Sequence, residues 1–415
     1  MTTAAPRRFG ALRDKPSRAY LLTAGLSMLG DNTEHVLTYW VLWQQFHSPA
    51  LVGFQIVSHW LPFLVLSIPF GTLAERYDCR KLVLMAQALF MAVSISWGLL
   101  ILTGTLQMWQ ACVLLVLHGC AGALWSPAEQ LLLHDYAPTK ELGNIVRLNA
   151  TFRNLGALCG PVVGTVLLFG LGPALGLFVN VLFYLPMCIV MLRSPYTGHT
   201  RNTATPRKTS IRDLRAVFGT VRHDRTLSSM IVLSALGALL LGGNLQAAMP
   251  SIAAVFGADS GPGYGVLLFA NGVGGVVGGF LLEATNRLKP TVRTAAITTL
   301  LVGLTTVAVT VSGSYTIAVI GLVIGGVANL ATNTVQQTMV QVLAPDDQRG
   351  RIVGVFNMVS QGFRTGNGIA LAIVGSAIGV VPAVAIGGGL LAVSAIVVAS
   401  LWAWSRAHAD RGNLA

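Results

Sequence analysis

The feature that most restricts the fold of this chain is a series of twelve long apolar segments, most of them joined by short connections. A helix that crosses the hydrocarbon core of a bilayer needs about 20 mostly apolar residues, and every segment reaches that length. Apolar residues make up 53% of the chain and charged residues only 10%, against ~25% charged residues in a soluble domain. We therefore predict an all-α integral membrane protein with twelve transmembrane helices. The predicted helices are 19–46, 51–73, 82–103, 108–134, 144–168, 172–193, 227–256, 262–287, 291–312, 315–344, 350–378 and 381–405.

The second half of the chain repeats the pattern of the first half at an offset of 207 residues. The Ala-Pro pair at Ala137 recurs at Ala344, and Gly143 recurs as Gly350. An offset near half of the chain length indicates two similar halves, and many secondary transporters consist of two such membrane halves with a site between them. We predict two pseudo-symmetric six-helix bundles. The predicted regions are an N-terminal tail at 1–18, a bundle at 19–193, a linker at 194–226, a second bundle at 227–405 and a C-terminal tail at 406–415.

Lys and Arg residues occupy alternate connections, which sets the expected orientation in the membrane. The connections after the second, fourth, sixth, eighth and tenth predicted helices are basic, and the turns after the odd-numbered helices contain no Lys or Arg. Basic connections stay on the cytoplasmic side, so we expect both termini and the linker 194–226 in the cytoplasm of a bacterium whose cytoplasmic membrane holds the helices. The net charge of +12 is then a topology signal, and it requires no nucleic-acid partner. We expect the linker to be solvated, with a helix lying on the inner leaflet as the alternative.

Two acids in the middle of the first predicted helix are candidates for proton coupling. Asp31 and Glu34 are three residues apart and therefore share one face of that helix. Ionisable groups inside a membrane are costly and are functional candidates by default. Two ionised acids this close repel each other, so at least one of them is expected to take up and release a proton. The two acids then act as one coupled pair. Structural ion pairing is the alternative role for both side chains.

Two arginines lie well inside predicted helices and must find negative partners. Arg153 lies in the fifth predicted helix and Arg364 in the eleventh. A buried arginine stays protonated, so we expect at least one of the two to face a central cavity beside a carboxylate from Asp31, Glu34 or Glu129. A structural ion pair and direct binding of the substrate are alternative roles for both arginines. The candidate substrate or charge-pair residues are Arg153, Arg364, Glu129, His35, His59, Asn244 and Asn333.

The turn after the second predicted helix reads G-T-L-A-E-R-Y-D-C-R-K from Gly71 to Lys81. It resembles the G-x-L-A-D-R-x-G-R-K loop of the major facilitator superfamily, with Asp78 and Cys79 in place of a glycine and an arginine. The resemblance implies a fold of two six-helix bundles and a role for this loop in gating their rotation. The gating-loop candidates are Gly71, Glu75, Arg76, Asp78 and Arg80.

The fifth predicted helix contains Gly156-x-x-x-Gly160-Pro161-x-x-Gly164. Small residues four apart allow two membrane helices to approach closely. The stretch is also similar to the G-x-x-x-G-P-x-x-G-G motif of proton-coupled antiporters in this superfamily, with Thr165 in place of the last glycine. Helix packing alone and an antiport role remain equal alternatives for this motif.

Residues 126–149 read S-P-A-E-Q-L-L-L-H-D-Y-A-P-T-K-E-L-G-N-I-V-R-L-N. They resemble the corresponding region of bacterial macrolide-efflux proteins and enterobactin exporters, and the likeness to this branch is strongest over 25–170. The superfamily often carries an arginine in its fourth helix, where this chain has His118. The resemblance implies an exporter of amphipathic drugs or siderophore-like compounds that exchanges them for protons. A lipid or lysolipid transporter of the same fold is the alternative, because Gly30-Asp31-Asn32 resembles that group.

A membrane enzyme or a receptor that does not transport is the weakest of the hypotheses. The sequence contains neither H-E-x-x-H nor G-x-S-x-G, and it lacks the G-K-[ST] phosphate loop that a primary pump would need. We therefore expect no catalytic residues, no metal site and no cofactor, with an ion gradient as the energy source. The expected partners are a small-molecule substrate and the lipid bilayer, and we expect a monomer.

Overall fold

The chain is helical throughout the parts that its computed structural model describes, which are residues 10–137, 142–200, 218–258, 262–285, 290–345 and 349–412. A short helical turn, Gly10–Arg13, precedes the long helices. The first six long helices are α1 Lys15–Phe46, α2 Pro49–Arg76, α3 Cys79–Leu102, α4 Met108–Tyr136, α5 Leu142–Leu171 and α6 Pro173–Arg193. The remaining ones are α7 Arg225–Leu241, α8 Asn244–Val255, α9 Pro262–Thr285, α10 Val292–Val311, α11 Tyr315–Leu343, α12 Arg349–Ile378 and α13 Val380–Gly412.

Each predicted helix coincides with an observed helix, except that the seventh is broken into α7 and α8. The chain bends by 42° at this break. Gly242 and Gly243 form the break, and Gly243 has φ +96°, a left-handed conformation that glycine adopts without steric cost. Hydropathy continues across both glycines, so the apolar pattern alone predicted one unbroken helix.

Eight of the described helices are long and apolar enough to cross a membrane, or nine when α7 and α8 are taken as one broken span. The less apolar helices include α1 and α12, which carry polar residues in their interiors. Asp31, Glu34 and His35 lie in α1, and Arg364 and Asn367 lie in α12. The chain is a multi-pass membrane protein, and several of its candidate functional residues lie in these two less apolar helices.

The chain divides into two compact units. The first contains Met1–His47 and Leu61–Thr205, and the second contains Ser48–Trp60 and Pro206–Ala415. Residues 48–60, the first part of α2, thus belong to the second unit, although the sequence predicted them in the first bundle. They pack on α12, where a Cβ added to Gly368 would lie only 2.7 Å from the carbonyl oxygen of Gly53. The orientation of the linker and the termini stays a prediction, since 201–217 lie outside the described residues.

Buried side chains form the interior of each unit. In the first unit, Phe90 stacks on Tyr184 with ring centroids 5.2 Å apart, and Trp97 is fully buried. In the second unit, Leu227 and Met230 of α7 are fully buried in a cluster with residues of α10, α11, α12 and α13. Many large apolar side chains are exposed on the outer faces, as expected for helices that contact lipid tails rather than water.

Candidate functional site

His118 of α4 bridges the two acids of α1. Its Nε2 lies 2.8 Å from Oδ1 of Asp31, and its Nδ1 lies 2.8 Å from Oε1 of Glu34. The exposed fractions are only 3% for His118, 8% for Asp31 and 1% for Glu34. The three side chains therefore form one buried hydrogen-bonded triad inside the first unit.

The geometry of this triad fixes how many protons its two central contacts hold. Each contact joins a ring nitrogen to a carboxyl oxygen, and a hydrogen bond at that distance needs one proton between the two atoms. Either His118 is an imidazolium between two carboxylates, or it is neutral and one of the acids is protonated. Loss of one proton would leave a nitrogen lone pair facing a carboxylate in a medium that screens poorly. The two central contacts are thus coupled, because the position of the proton in one contact changes the charge of His118 that the other contact faces.

Further donors hold the two carboxylates in position. Ser94 of α3 donates its hydroxyl hydrogen to Oε2 of Glu34, and Asn180 of α6 donates an amide hydrogen to the same oxygen at 3.4 Å. Asn32 donates to Oδ2 of Asp31 at 3.3 Å. Glu34 thus contacts polar groups of three other helices, which makes it the more firmly held of the two acids.

Aromatic rings enclose the same site. The ring of Phe90 meets the ring of His118 edge-on, with centroids 4.9 Å apart. The ring of His35 is tilted relative to the ring of His118, also with centroids 4.9 Å apart. His35 also stacks on Tyr39. Ligand-capable atoms of Asp31, His35 and His118 lie within 4.8 Å of one another. Both ring nitrogens of His118 already face carboxyl oxygens, so the arrangement suits a proton network better than a metal ion.

Glu129 and Arg153 form a second charge pair, between α4 and α5. Nη1 of Arg153 donates to Oε2 of Glu129, and Asn149 donates to Oε1 of the same carboxylate at 3.4 Å. Glu129 is buried, and the guanidinium of the half-buried Arg153 lies 4.6 Å from the ring centroid of Trp125. Arg153 therefore has the acidic partner expected for it, but that partner is Glu129 and not Asp31 or Glu34, which both bind His118.

The glycine motif of α5 holds that helix against α1, the helix that carries both acids. A Cβ on Gly156 would lie 2.9 Å from the backbone nitrogen of Leu29, and one on Gly164 would lie 2.8 Å from Cβ of Val36. A Cβ on Gly160 would meet Asn32, the residue next to Asp31. Pro161 lies within α5 and is buried. The motif thus acts as a helix-packing surface directly beside the triad.

The gating-loop residues lie at the end of α2 and the start of α3. Asp78 caps α3 by accepting from the backbone nitrogen of Arg80 at 3.0 Å, and the Arg80 guanidinium binds the same carboxylate at 2.6 Å. These hydrogen bonds lower the pKa of Asp78 from its ordinary value. Glu75 and Arg76 are exposed. A Cβ at Gly71 would meet no described atom within 4 Å, so this glycine makes no close helix contact among the described residues.

The remaining candidates belong to the second unit. Arg364 and Asn333 line one cavity of about 250 Å³. His59 lies in α2, where its ring meets that of Trp60 edge-on at 4.7 Å. Asn244 begins α8, and its side chain lies outside the described part of the chain.

The sequence did not predict a site role for three residues of the triad and its surroundings. His118, Ser94 and Asn180 are each a polar residue within an apolar helix, which was the available signal. Hydropathy shows that such residues lie in apolar segments, but it does not show which helices are neighbours. The most specific signal was His118 in the helix where the resemblance to the superfamily implied an arginine.

Comparison with known proteins places the chain in a family. The model of a family described as transmembrane secretion effector matches residues 7–410. The chain belongs to that family. The match covers almost the whole sequence, so the protein is a transporter of the major facilitator superfamily.

Two relatives are similar over parts of the chain. An uncharacterized MFS-type transporter, YfiS of Bacillus subtilis (strain 168), is 24% identical over 190 residues, which are 45% of this chain and 44% of that protein. The multidrug resistance protein MdtG of Proteus mirabilis (strain HI4320) is 34% identical over 125 residues, 29% of each chain. The chain thus matches less than half of the length of either relative.

Solved structures show the same fold at low sequence identity. A bacterial homolog of the human lysosomal transporter Spinster, inward-facing and unoccupied, has a TM-score of 0.68 and 18% identity over 94% of this chain and 97% of its own. The nucleoside transporter NupG has a TM-score of 0.71 and 12% identity over 94% of this chain and 99% of its own. These neighbours establish the major facilitator fold alone, since a fold does not determine a substrate.

Proposed function

We propose that this transporter exports amphipathic small molecules across the bacterial cytoplasmic membrane in exchange for protons. Both termini lie in the cytoplasm in this proposal. The observation that carries it is the buried triad of Asp31, His118 and Glu34, in which one imidazole binds two acids at 2.8 Å each. The partial similarity to a multidrug resistance protein and the likeness of residues 126–149 to exporters support the direction and the substrate class.

The triad couples transport to protons through its charge. With two protons in its central contacts it carries one net negative charge, and a third proton makes it neutral. A cationic substrate group competes with that third proton for the carboxylates, so that binding of one favours release of the other. Alternating access then exposes the triad to one side of the membrane at a time, which makes the exchange vectorial.

Transport by purified protein in lipid vesicles tests the proposal. An imposed pH gradient should drive uptake of cationic amphipathic dyes into inside-out vesicles, and Asp31→Asn should abolish that uptake while the protein stays folded. The control variant is His134→Gln, which changes an exposed side chain of α4 and leaves the triad in place. Uptake of lysophospholipids with no dye uptake would contradict the proposal and favour the lipid transporter.

A further inference from the structure

A polar cavity lies inside the second unit, and the described residues of its wall include one cation and no acid. Its volume is about 250 Å³, and Arg364 of α12 is the charged residue in its wall. Among the described residues that line it there is no Asp or Glu. The polar side chains of the wall are hydroxyls and amides, which include Asn271, Thr299, Asn329, Thr332, Asn333, Gln336 and Ser360.

The charge of Arg364 has no carboxylate partner within the described part of the second unit. Nε of Arg364 donates to the carbonyl oxygen of Ser360 at 3.2 Å. The guanidinium lies over the ring of Trp60, with Cζ 4.5 Å from the ring centroid. An arginine has five N–H donors, and the described residues supply an acceptor for one of them. Trp60 covers one face of the guanidinium, which leaves its hydrogen-bonding edge available to the cavity.

Two further donors in the cavity wall lack partners. Oγ1 of Thr332 has no hydrogen-bond partner among the described residues, although Thr332 is only 8% exposed. Nε2 of Gln246 is buried and also has none. A buried polar atom without a partner costs about 1–3 kcal/mol, and a ligand that accepts hydrogen bonds in the cavity removes that cost.

The break between α7 and α8 brings backbone N–H donors to the same cavity. Gly242, Gly243, Leu245 and Gln246 line the cavity at the start of α8. Gly243 is the N-cap and supplies no side-chain hydrogen bond to the first turn. The N-terminus of a helix carries a partial positive charge and unpaired N–H groups, so it favours an anion. Gly242 also leaves room for Arg364, whose Cγ would lie 2.6 Å from a Cβ at that position.

The helix that carries Arg364 contains no acid. Arg364 lies near the middle of α12, about fifteen residues from either end and thus ~22 Å along the axis. The sequence of α12 has neither Asp nor Glu. The acids of residues 206–415 are Asp213, Asp224, Asp259, Glu283, Asp346, Asp347 and Asp410 in the sequence.

We propose that this cavity is a subsite for an anionic group, a carboxylate or phosphate, of an amphipathic substrate. The Arg364 guanidinium binds the anion with two charge-assisted hydrogen bonds, and the start of α8, Thr332 and Gln246 supply the others. The inference rests on the proposed transport function and adds a substrate class to it. It makes the second unit the part of the protein that selects substrates by negative charge.

Equilibrium binding of two dyes that differ in one group tests this subsite. Rhodamine 110 carries a free carboxylate, and rhodamine 123 is its methyl ester, so the ring systems are the same. Fluorescence anisotropy with the purified full-length protein in detergent should show rhodamine 110 binding at least ~10-fold more tightly, a difference of about 1.4 kcal/mol. Arg364→Gln should remove this preference, and Arg364→Lys should keep part of it because the charge remains.

The matched control is Arg293→Gln, which removes an exposed arginine of the same unit and should leave the preference unchanged. Displacement of rhodamine 110 by lysophosphatidylglycerol would identify a lipid phosphate as the anion, and displacement by fatty carboxylates alone would identify a carboxylate. Equal binding of the two dyes, absence of binding, or a preference that survives Arg364→Gln in folded protein would overturn the proposal. The assay uses no pH gradient, so its failure is separate from failure of proton-driven export.

Discussion

One histidine, His118, contacts both acids of the first unit, so its charge affects both carboxyl groups. His118 binds Asp31 and Glu34 through opposite ring nitrogens. An arginine at this position would remain charged throughout a transport cycle. An imidazole exists in a charged and a neutral form near neutral pH, so a histidine suits the proposed proton exchange better than an arginine does.

We expect His118→Gln to abolish transport driven by a pH gradient while substrate binding remains. Glutamine keeps a polar side chain beside the acids but cannot carry a charge, so the triad loses one of its proton-binding groups. Uptake of dye into vesicles and equilibrium dye binding measure the two properties separately. His134→Gln, at an exposed position of the same helix, is the control, and gradient-driven uptake that survives His118→Gln would contradict the role of the triad.

The pair Glu129–Arg153 should act on stability rather than on proton coupling. Glu129→Gln leaves the Arg153 charge without its carboxylate. Breaking a fully buried ion pair costs about 3–5 kcal/mol, and the partial exposure of Arg153 places the expected cost below that range. We expect a lower midpoint of thermal unfolding in detergent for Glu129→Gln. The double variant Glu129→Gln/Arg153→Met should recover most of the loss, and no recovery would show that the two side chains act independently.

Residue-scale features were predictable where a single helix determines them. Asp31 and Glu34 were found because a charge in the middle of an apolar segment is unusual, and Arg153 was found in the same way. Their partners were not predictable, since hydrophobic patterns do not reveal which helices are adjacent. The sequence left Asp31, Glu34 and Glu129 open as partners of Arg153, and the fold pairs it with Glu129.

At the scale of helices, close packing of α1 and α5 positions the triad. We expect Gly160→Val to destabilise the first unit by about 1–3 kcal/mol, the usual cost of overpacking, because the added atoms meet Asn32. Transport should fall as well, since Asn32 is next to Asp31. Gly170→Val is the matched control, because a Cβ at Gly170 in the same helix meets nothing within 4 Å. Equal thermal stability of both variants would show that α5 does not pack through this motif.

Helix boundaries followed closely from hydropathy and turn composition, whereas the break between α7 and α8 did not. Two adjacent glycines interrupt a helix without adding charge, so the apolar pattern runs on through Gly242 and Gly243. The break matters for the proposed subsite, since it brings the start of α8 to the cavity that contains Arg364. A glycine pair within a transmembrane segment is the signal that could have shown it.

For the whole molecule, the alternation of basic and uncharged connections predicts which ends face the cytoplasm. Cysteines placed at 259 (Asp259→Cys) and 207 (Arg207→Cys) test this orientation in a variant whose five native cysteines are replaced by alanine. A membrane-impermeant thiol reagent added to intact cells should label position 259 and leave position 207 unlabelled. Both positions lie outside the described residues, so the prediction comes from the sequence, and labelling at 207 would refute it.

The overall fold was predictable from the sequence because two independent patterns agree. Apolar segments indicated the number of helices, and the repeat at 207 residues indicated two similar halves. The grouping of residues 48–60 with the second unit was not predictable, since it depends on the contact of Gly53 with Gly368. Hydropathy contains no information about such contacts between distant segments.

Proton release on substrate binding is the property that distinguishes an exchanger from a transporter without proton coupling. Addition of a transported dye to purified protein in weakly buffered detergent solution should release about one proton per protein, measured with a pH-indicator dye in a stopped-flow instrument. The double variant Asp31→Asn/Glu34→Gln, folded but without acids in the triad, should release none. Release of protons by the double variant to the same extent as by the natural protein, or no release by either while the dye binds, would contradict proton exchange at the triad.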